Sequence, residues 1–366
     1  MRMPEPIHFM GLLKSPASWA KVGRELVRAL SACGAYVSAV SLKGYMYDGA
    51  YPLAEEVEAA VRRERREGWD LALDYPPNFA RLNGRRKAGI VIYEADRLPG
   101  HWVDGITSCL DLVIVPSRFV LEAAVASGVP RGLLRLAPFG ADTDVYRPDG
   151  PKAKSPTGRS FNFLVVGAAH ARKGLAEACE AFTAAFGPGE DVGLVVKCPR
   201  LRGLGKRPWE YESVEDFLPD TRSGQIAVVE GTYCENEMAA LYRGSDVYVQ
   251  PSYGEAFGLA AVEAAACGTP VITTKWGAAE EVFGARSAYL VDGELVDASA
   301  ISYDWCGAGQ VRAARPRVAH LAQVMRRAYE DGNERQRLAK AALEGAAKLT
   351  WGATAKTVLA ALSHPA

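Results

Sequence analysis

The amino-acid sequence predicts an α/β fold made of two doubly wound, parallel-sheet domains of the Rossmann-like type. The chain has 366 residues, more than one hydrophobic core usually serves, so two domains are expected. Short apolar runs of strand length alternate with segments of helical periodicity, which is typical of a parallel sheet covered by helices. Residues 149–160 are rich in Pro, Gly and small polar residues, and they predict a linker between the domains.

The first predicted domain spans residues 1–148. An amphipathic helix is predicted over residues 20–30, with its apolar side chains on one face. Further helices are expected at residues 55–67 and 119–126. The strands of this domain are expected at residues 6–12, 36–42, 70–73, 90–93, 112–115 and 133–137.

The second predicted domain spans residues 161–349, and residues 350–366 form a last helix. Gly268-Thr-Pro270 ends one helix of this domain, because Gly accepts the left-handed cap and Pro cannot continue a helix. Strands are expected at residues 161–166, 192–196, 226–229, 247–250 and 271–274. The other helices are expected at residues 175–186, 236–243, 318–329, 334–349 and 351–362.

The composition excludes several classes of protein. The formal net charge is zero, which argues against a nucleic-acid partner bound over the whole surface. The 7 cysteines are scattered without a C-x-x-C pair, as expected of thiols in a reducing compartment. No signal-peptide pattern or bilayer-length apolar run is present, so a cytoplasmic location is expected.

Two basic clusters, residues 62–66 and 81–87, lie in the first predicted domain. Such clusters can dock weakly on an anionic membrane, which would place the protein at the inner membrane face. Glutamates interleave with the first cluster, however, and this pattern is typical of a solvated, salt-bridged helix. The solvated helix is the preferred interpretation, and peripheral membrane association stays an alternative.

Two glutamates flank the loop between a predicted strand and an Ala-rich helix. Glu255 precedes the helix, whose N–H groups and positive dipole end attract an anion. Glu263 lies about two turns inside this apolar helix, where a charge is costly unless a partner hydrogen-bonds it. The loop follows the carboxyl end of a strand, the edge at which open α/β sheets bind ligands. Together the two carboxylates predict a ligand site.

A second loop carries cations at the corresponding edge. Gly167 ends a predicted strand, and Arg172 and Lys173 stand where the next helix begins. Cations beside helix N–H groups suit a diphosphate, which an Arg can grip through two hydrogen bonds. The segment is neither a Walker A loop nor a Rossmann Gly-x-Gly-x-x-Gly fingerprint.

Three further candidates follow the strand predicted at residues 90–93. In extended geometry Glu94 and Asp96 share one side, so both carboxylates could face one pocket. His101 could add an imidazole, although a surface position is an equally good interpretation.

Asp142 and Asp144 form a D-x-D pair of the kind that holds divalent cations in some transferases. Asp142 is expected instead to cap a turn.

The segment Gly254-Glu-Ala-Phe-Gly-Leu…Glu263…Cys267-Gly-Thr-Pro-Val271 closely resembles the Glu-x7-Glu signature of retaining GT-B glycosyltransferases of family 4. This resemblance implies GT-B architecture, in which two Rossmann-like domains face a cleft. The first domain would bind a hydroxyl acceptor and the second a nucleotide-diphosphate sugar. The last helix, residues 350–366, would return towards the first domain. The D-x-D resembles a family segment that closes the first domain, so neither a metal nor another cofactor is expected.

The resemblance also implies roles for individual residues. In the family the first Glu and the following amides hold the donor sugar and diphosphate, and the second Glu holds the ribose. The expected catalytic residues are Glu255, Asp96, Glu94 and His101. The expected donor-binding residues are Gly11, Gly167, Arg172, Lys173, Thr232, Tyr233, Ala256, Phe257, Gly258, Leu259 and Glu263.

Two positions depart from the family pattern. Ala168 stands where many members carry an Arg, and Ala95 stands where many carry a His. The expected function is transfer of a hexose from a UDP- or GDP-linked sugar to a hydroxyl of a glycan, lipid or small molecule. The departures keep two alternatives open: a GT-B sugar-nucleotide epimerase, and a non-catalytic sugar-nucleotide-binding subunit that scaffolds a partner.

Overall fold

The computed structural model describes residues 4–44, 46–199, 211, 213–214, 216–218, 224–298 and 311–364. The chain divides into two compact units. The first comprises Met1–Gly140 with Leu349–Ala366, and the second comprises Ala141–Lys348. Each unit contains one six-stranded parallel sheet, so the predicted α/β class with two Rossmann-like sheets is confirmed.

The sheet of the first unit has the strand order β2-β1-β3-β4-β5-β6. All its neighbouring strands are parallel, with Ile7 opposite both Val37 and Trp69. The strands are β1 Ile7–Gly11, β2 Val37–Ser41, β3 Trp69–Leu73, β4 Arg86–Ile90, β5 Leu112–Val115 and β6 Leu134–Leu136. The helices are α1 Ser18–Ala32, α2 Glu55–Arg62, α3 Gly100–Cys109 and α4 Arg118–Ala126.

Three elements of this unit differ from the prediction. The strand predicted at residues 90–93 is wrong, because β4 starts at Arg86 and ends at Ile90. The start of β4 lies in the basic cluster of residues 81–87, where no strand was predicted, and there the Arg86 guanidinium pairs with Glu5 and lies 5.0 Å from the Trp69 ring. The helix predicted to reach residue 67 ends at Arg62, since Arg63 is extended and donates to the Val37 carbonyl at 3.2 Å. Helix α3 was not predicted.

The sheet of the second unit has the order β12-β11-β10-β7-β8-β9 and is also parallel. Its strands are β7 Phe161–Val166, β8 Val192–Cys198, β9 Ile226–Glu230, β10 Val247–Gln250, β11 Val271–Thr274 and β12 Tyr289–Val291. Its helices are α5 Leu175–Ala185, α6 Glu235–Arg243, α7 Leu259–Ala266, α8 Ala279–Val282, α9 Val318–Glu330 and α10 Gly332–Ala346. An antiparallel pair that was not predicted, β13 Gly293–Asp297 and β14 Arg312–Pro316, completes the unit.

The order of this sheet reverses at β7. The next strand along the chain, β8, lies on one side of β7, and β10 lies on the other. Such a reversal opens a crevice at the carboxyl ends of the two strands, where open α/β sheets bind their ligands. The loops that follow β7 and β10, residues 167–174 and 251–258, meet at this switch point.

The last helix, α11 Trp351–Ser363, packs in the first unit. The Thr354 hydroxyl donates to the Pro138 carbonyl at 2.6 Å, and the Trp351 and Phe139 rings lie 5.7 Å apart. Gly140 lies so close to the start of α11 that a Cβ at Gly140 would be 2.2 Å from the Thr350 carbonyl carbon. None of the helices in the described ranges has the length and apolarity that a membrane span requires.

Candidate functional site

The loops 167–174 and 251–258 touch at the switch point because of one glycine. Gly174 has a φ of +66°, in the left-handed region, and a Cβ at this residue would lie 2.0 Å from the Pro251 carbonyl oxygen. Only glycine satisfies both demands without strain. The Tyr253 amide then donates to the Arg172 carbonyl at 2.8 Å, which joins the two loops.

Three predicted residues meet where these loops join. The Lys173 ammonium donates to the Glu255 carboxylate, with Nζ 2.5 Å from Oε1. The Arg172 guanidinium lies 3.6 Å from the same oxygen and donates to the Gly254 carbonyl at 2.9 Å. The side chains of Lys173, Arg172 and Glu255 are 22%, 16% and 14% exposed. The loops therefore form a compact, mostly buried charge cluster with one more cation than anions.

Burial and charge act in opposite directions on the Glu255 carboxyl. Burial raises its pKa, but Lys173 and then Arg172 lower it further than burial raises it. The Ser252 hydroxyl also hydrogen-bonds this carboxylate and lowers the pKa. The pKa of Glu255 therefore lies below its ordinary value, and the side chain is an anion at neutral pH.

The predicted backbone part of the site precedes α7. Ala256 and Phe257 are buried, and Gly258 adopts a φ of +82° before the helix begins at Leu259. The Ala278 amide donates to the Glu255 carbonyl at 3.1 Å, which fixes the loop from the other side. Because the N-terminus of α7 carries backbone N–H groups and the positive dipole end, this edge favours an anion.

Glu263 lies inside α7 and is 5% exposed. The hydroxyl of Tyr242, on α6, donates to its Oε2 at 3.4 Å. Burial, and next the charge of Glu263, raise the pKa of Tyr242 well above its ordinary value, so the hydroxyl keeps its proton. Helix α6 thus supplies the hydrogen-bond donor that a charge inside the apolar helix α7 requires.

Tyr253, next to the predicted site residues, was missed in the sequence. Besides its amide bond to Arg172, its carbonyl accepts from Ala314 of β14 at 2.9 Å. Its hydroxyl donates to Glu177 Oε1 at 2.6 Å, and Arg315 Nε lies 3.4 Å from the same oxygen. Burial, followed by Glu177, raises the pKa of Tyr253. Glu177, an acid in the first turn of the predicted helix and four residues after Lys173, was the signal that could have found this junction.

The predicted residues Thr232 and Tyr233 follow β9, beside a lysine that was also missed. Lys197, at the end of β8, donates to the Gly231 carbonyl at 2.6 Å, and its ammonium lies 4.7 Å from the centre of the Tyr233 ring. Burial lowers the pKa of Lys197. Thr232 is exposed and Tyr233 half-buried. Gly167 joins the two regions, since its amide donates to the Lys197 carbonyl at 3.1 Å.

The remaining predicted residues belong to the first unit. Gly11 ends β1, where a Cβ would meet the Phe9 ring at 2.8 Å. Glu94 and Asp96 follow β4 outside any strand, with Asp96 in a bend, and both are partly exposed. His101 is exposed in the first turn of α3.

The D-x-D segment forms a turn in the second unit. The Asp144 amide donates to Asp142 Oδ1 at 3.0 Å, so the expected turn cap is confirmed. Among the described residues, no group of three or more His, Cys, Asp or Glu side chains could hold a metal ion.

Sequence comparison gives a family match for part of the chain. Residues 151–304 match the model of the family described as glycosyl transferases group 1. This range contains Arg172, Lys173 and Glu255, which are the whole charge cluster at the switch point, and also Glu263.

Named relatives align with part of the chain only. The D-inositol 3-phosphate glycosyltransferase of Pseudarthrobacter chlorophenolicus is 30% identical over 203 residues, which are 53% of this chain and 47% of that protein. The enzyme of the same name from Rhodococcus opacus is 42% identical over 89 residues, which are 24% of this chain and 19% of that protein. The chain thus spans about half or less of the length of these curated relatives.

Solved structures match over nearly the whole chain. Sucrose-phosphate synthase from Thermosynechococcus elongatus has a TM-score of 0.68 at 20% identity and covers 97% of both chains. HepE from Anabaena, solved with UDP-glucose, has a TM-score of 0.68 at 14% identity and covers 98% of this chain and 99% of that chain. At these identities the likeness establishes the fold. The protein therefore has the two-domain GT-B fold, and its residues 151–304 are similar in sequence to the glycosyl transferases of group 1.

Proposed function

We propose that the protein is a retaining glycosyltransferase of family 4 that moves a hexose from a UDP- or GDP-linked sugar to a hydroxyl acceptor. The acceptor would be a glycan, a lipid or a small molecule. The observation that carries the proposal is the cluster of Lys173, Arg172 and Glu255 at the switch point of the second unit. Two cations beside a helix N-terminus suit a diphosphate, and a carboxylate among them suits the hydroxyls of a sugar.

The cluster would act on the leaving group. As the bond between the sugar C1 and the diphosphate oxygen breaks, negative charge grows on the diphosphate, and Lys173 and Arg172 would offset it. Glu255 would orient the sugar and Glu263 the ribose. Because the protein's own cations stabilise the leaving diphosphate, we propose a reaction without a metal or other cofactor.

The acceptor would supply the incoming oxygen. Its hydroxyl oxygen would bond to C1 on the face that the diphosphate leaves, and the hydroxyl proton would pass to a base. Asp96 is the proposed base or orienting group, with Glu94 and His101 beside it in sequence. The names and ligands of similar proteins, UDP-glucose in HepE and the glycosyltransferase relatives, support a nucleotide-sugar donor.

The first test is ligand binding by Lys173→Ala. Thermal-shift assays and titration calorimetry with UDP, GDP, ADP and their sugar conjugates, without added metal, should show one responding nucleotide. Ligand at 100 times its Kd should stabilise the protein by about 2.7 kcal/mol. Lys173→Ala should lose at least about tenfold in affinity, because a hydrogen-bonded charge contact to phosphate is removed.

The matched control is Lys340→Ala, which removes an exposed lysine of α10 in the same unit. Its affinity should equal that of the unaltered protein. If no nucleotide bound, with or without magnesium, or if both variants bound equally well, the diphosphate assignment would be wrong.

One turnover assay separates the enzyme from the two alternatives. Incubation of the responding sugar nucleotide with the protein should release free sugar slowly to water, and faster transfer should follow when an acceptor is supplied. A non-catalytic subunit would leave the sugar nucleotide intact. An epimerase would convert it to a second sugar nucleotide without net release of diphosphate.

A further inference from the structure

The buried carboxylate of Glu263 depends on its surroundings. It lies on α7 among buried Ala and Val residues, with 5% of its surface exposed. An ionised carboxylate at such a position is costly unless it accepts hydrogen bonds. Tyr242 provides one, with its hydroxyl 3.4 Å from Oε2. The orientation of Glu263 is therefore linked to the position of this tyrosine.

Tyr242 is itself held in place. The Thr269 hydroxyl, just after α7, donates to the Tyr242 carbonyl at 2.8 Å, so α6 is fastened to the end of α7. The Tyr242 ring lies 6.0 Å from the Tyr146 ring and 5.6 Å from the Tyr248 ring, in tilted and edge-on contacts. Tyr242 is 1% exposed. Its hydroxyl is consequently a donor with a fixed position.

We infer that Tyr242 is a positioning residue that turns Glu263 towards the ribose hydroxyls of the bound nucleotide and thereby sets a preference for ribonucleotides over deoxynucleotides. The inference rests on the proposed function. A carboxylate has two oxygens and about four acceptor sites, so one tyrosine can hold it while it accepts from a ligand hydroxyl. A carboxylate already held in one orientation loses less conformational entropy when it accepts a hydrogen bond from the ribose hydroxyl. A deoxynucleotide lacks that hydroxyl and gains nothing from the fixed orientation, so the preference for the ribonucleotide increases.

The test is nucleotide selectivity in Tyr242→Phe. Calorimetry would measure the Kd of whichever nucleotide binds, UDP, GDP or ADP, and the Kd values of its 2′-deoxy and 3′-deoxy forms. The unaltered protein should prefer the ribonucleotide by about tenfold or more, as expected for a hydrogen bond to a charged group. In Tyr242→Phe this ratio should fall by about three- to tenfold, through weaker ribonucleotide binding and nearly constant deoxynucleotide binding.

Two further variants make the test specific. Tyr248→Phe removes a neighbouring buried hydroxyl that makes no hydrogen bond within the described part of the chain, so its ratio should stay unchanged. In a Glu263→Ala background, Tyr242→Phe should have no further effect on the ratio, because the tyrosine would act only through the carboxylate. Melting temperatures of all variants report whether each one folds.

The outcomes separate the inference from the function on which it rests. An unchanged ratio in Tyr242→Phe, or an equal loss in Tyr248→Phe, would overturn the positioning role and leave the donor site intact. A ribonucleotide preference that is absent from the unaltered protein would overturn the ribose role of Glu263 as well. Failure of every nucleotide to bind the unaltered protein would overturn the proposed function together with the inference.

Discussion

Glu255 links the stability of the fold to the proposed donor site. Its carboxylate is mostly buried, yet it stays ionised because Lys173 and Arg172 lower its pKa below the ordinary value of 4.5. A carboxyl whose pKa is lower in the folded protein than in the unfolded chain stabilises the fold above its unfolded pKa. That contribution is lost as the pH falls from 4.5 through the folded pKa.

We expect Glu255→Gln to reveal this contribution. At pH 7 the variant should be less stable by about 1 to 3 kcal/mol, because the two cations lose a charged hydrogen-bond partner. Below pH 4.5 the difference should shrink, since the carboxyl then becomes protonated in the unfolded wild-type chain while it is still ionised in the folded protein. Urea denaturation at several pH values between 7 and 3 would measure it.

Glu280→Gln is the matched control, because Glu280 is half-exposed and lies 3.9 Å from Lys275. Exposed pairs contribute little, so this variant should stay within about 0.5 kcal/mol of the wild type at pH 7. A stability difference for Glu255→Gln that did not depend on pH would contradict the assigned ionisation.

At the scale of elements, the meeting of loops 167–174 and 251–258 depends on the backbone. Gly174 combines a left-handed conformation with direct contact to the Pro251 carbonyl. The two effects can be separated, because Gly158 has nearly the same conformation, with a φ of +69°, but no atom lies within 4 Å of a Cβ placed there.

We predict that Gly174→Ala costs more than Gly158→Ala. Both substitutions force Ala into the left-handed region, at about 1 kcal/mol each. Gly174→Ala must also push the two loops apart, so it should cost about 2 kcal/mol more and weaken nucleotide binding. Equal losses of stability by thermal or urea unfolding would show that the loop contact is unimportant.

The elements also show what the sequence could predict. Strands β5, β7, β10 and β11 have the predicted bounds, because each is a mainly apolar run that ends at Gly, Pro or polar residues. Strand β4 was misplaced because its start is charged, and those charges are satisfied by contacts distant in sequence. The pair β13–β14 carries the exposed Leu295 and two arginines, so it lacks the apolar pattern that marks a buried strand.

The individual residues of the candidate site could be selected from the sequence, but the contacts between them could not. The cations and the two glutamates could be found because their residue types stand at strand ends and helix starts. Lys173 and Glu255 are 82 residues apart, however, and local patterns do not encode such a contact. For the same reason Tyr242, Tyr253 and Lys197 were missed, since each looks like an ordinary helix, loop or strand residue until its partners are seen.

At the scale of the whole molecule, the last helix completes the first unit. Helix α11 carries Trp351, which is 5% exposed and contacts Phe139. Trp351→Ala should lower the free energy of unfolding by about 3 kcal/mol or more, as is usual for removing a buried aromatic side chain.

Lys356→Ala, at an exposed position of the same helix, should change the free energy of unfolding by less than about 0.5 kcal/mol. Chemical denaturation followed by circular dichroism would compare the two. Equal stability of both variants would mean that α11 contributes little to the first unit.

The three bonds of Tyr253 have a consequence for protein engineering. The residue ties the loop before α7 to Arg172 through its amide, to Ala314 through its carbonyl and to Glu177 through its hydroxyl. The geometry of Glu255 is therefore encoded by three distant stretches of sequence, residues 172–177, the loop 251–258 and Ala314, rather than by the segment from Pro251 to Pro270 alone. Grafting that segment alone onto another scaffold would transfer its sequence without its conformation. A graft intended to keep the geometry of Glu255 must therefore include the whole second unit.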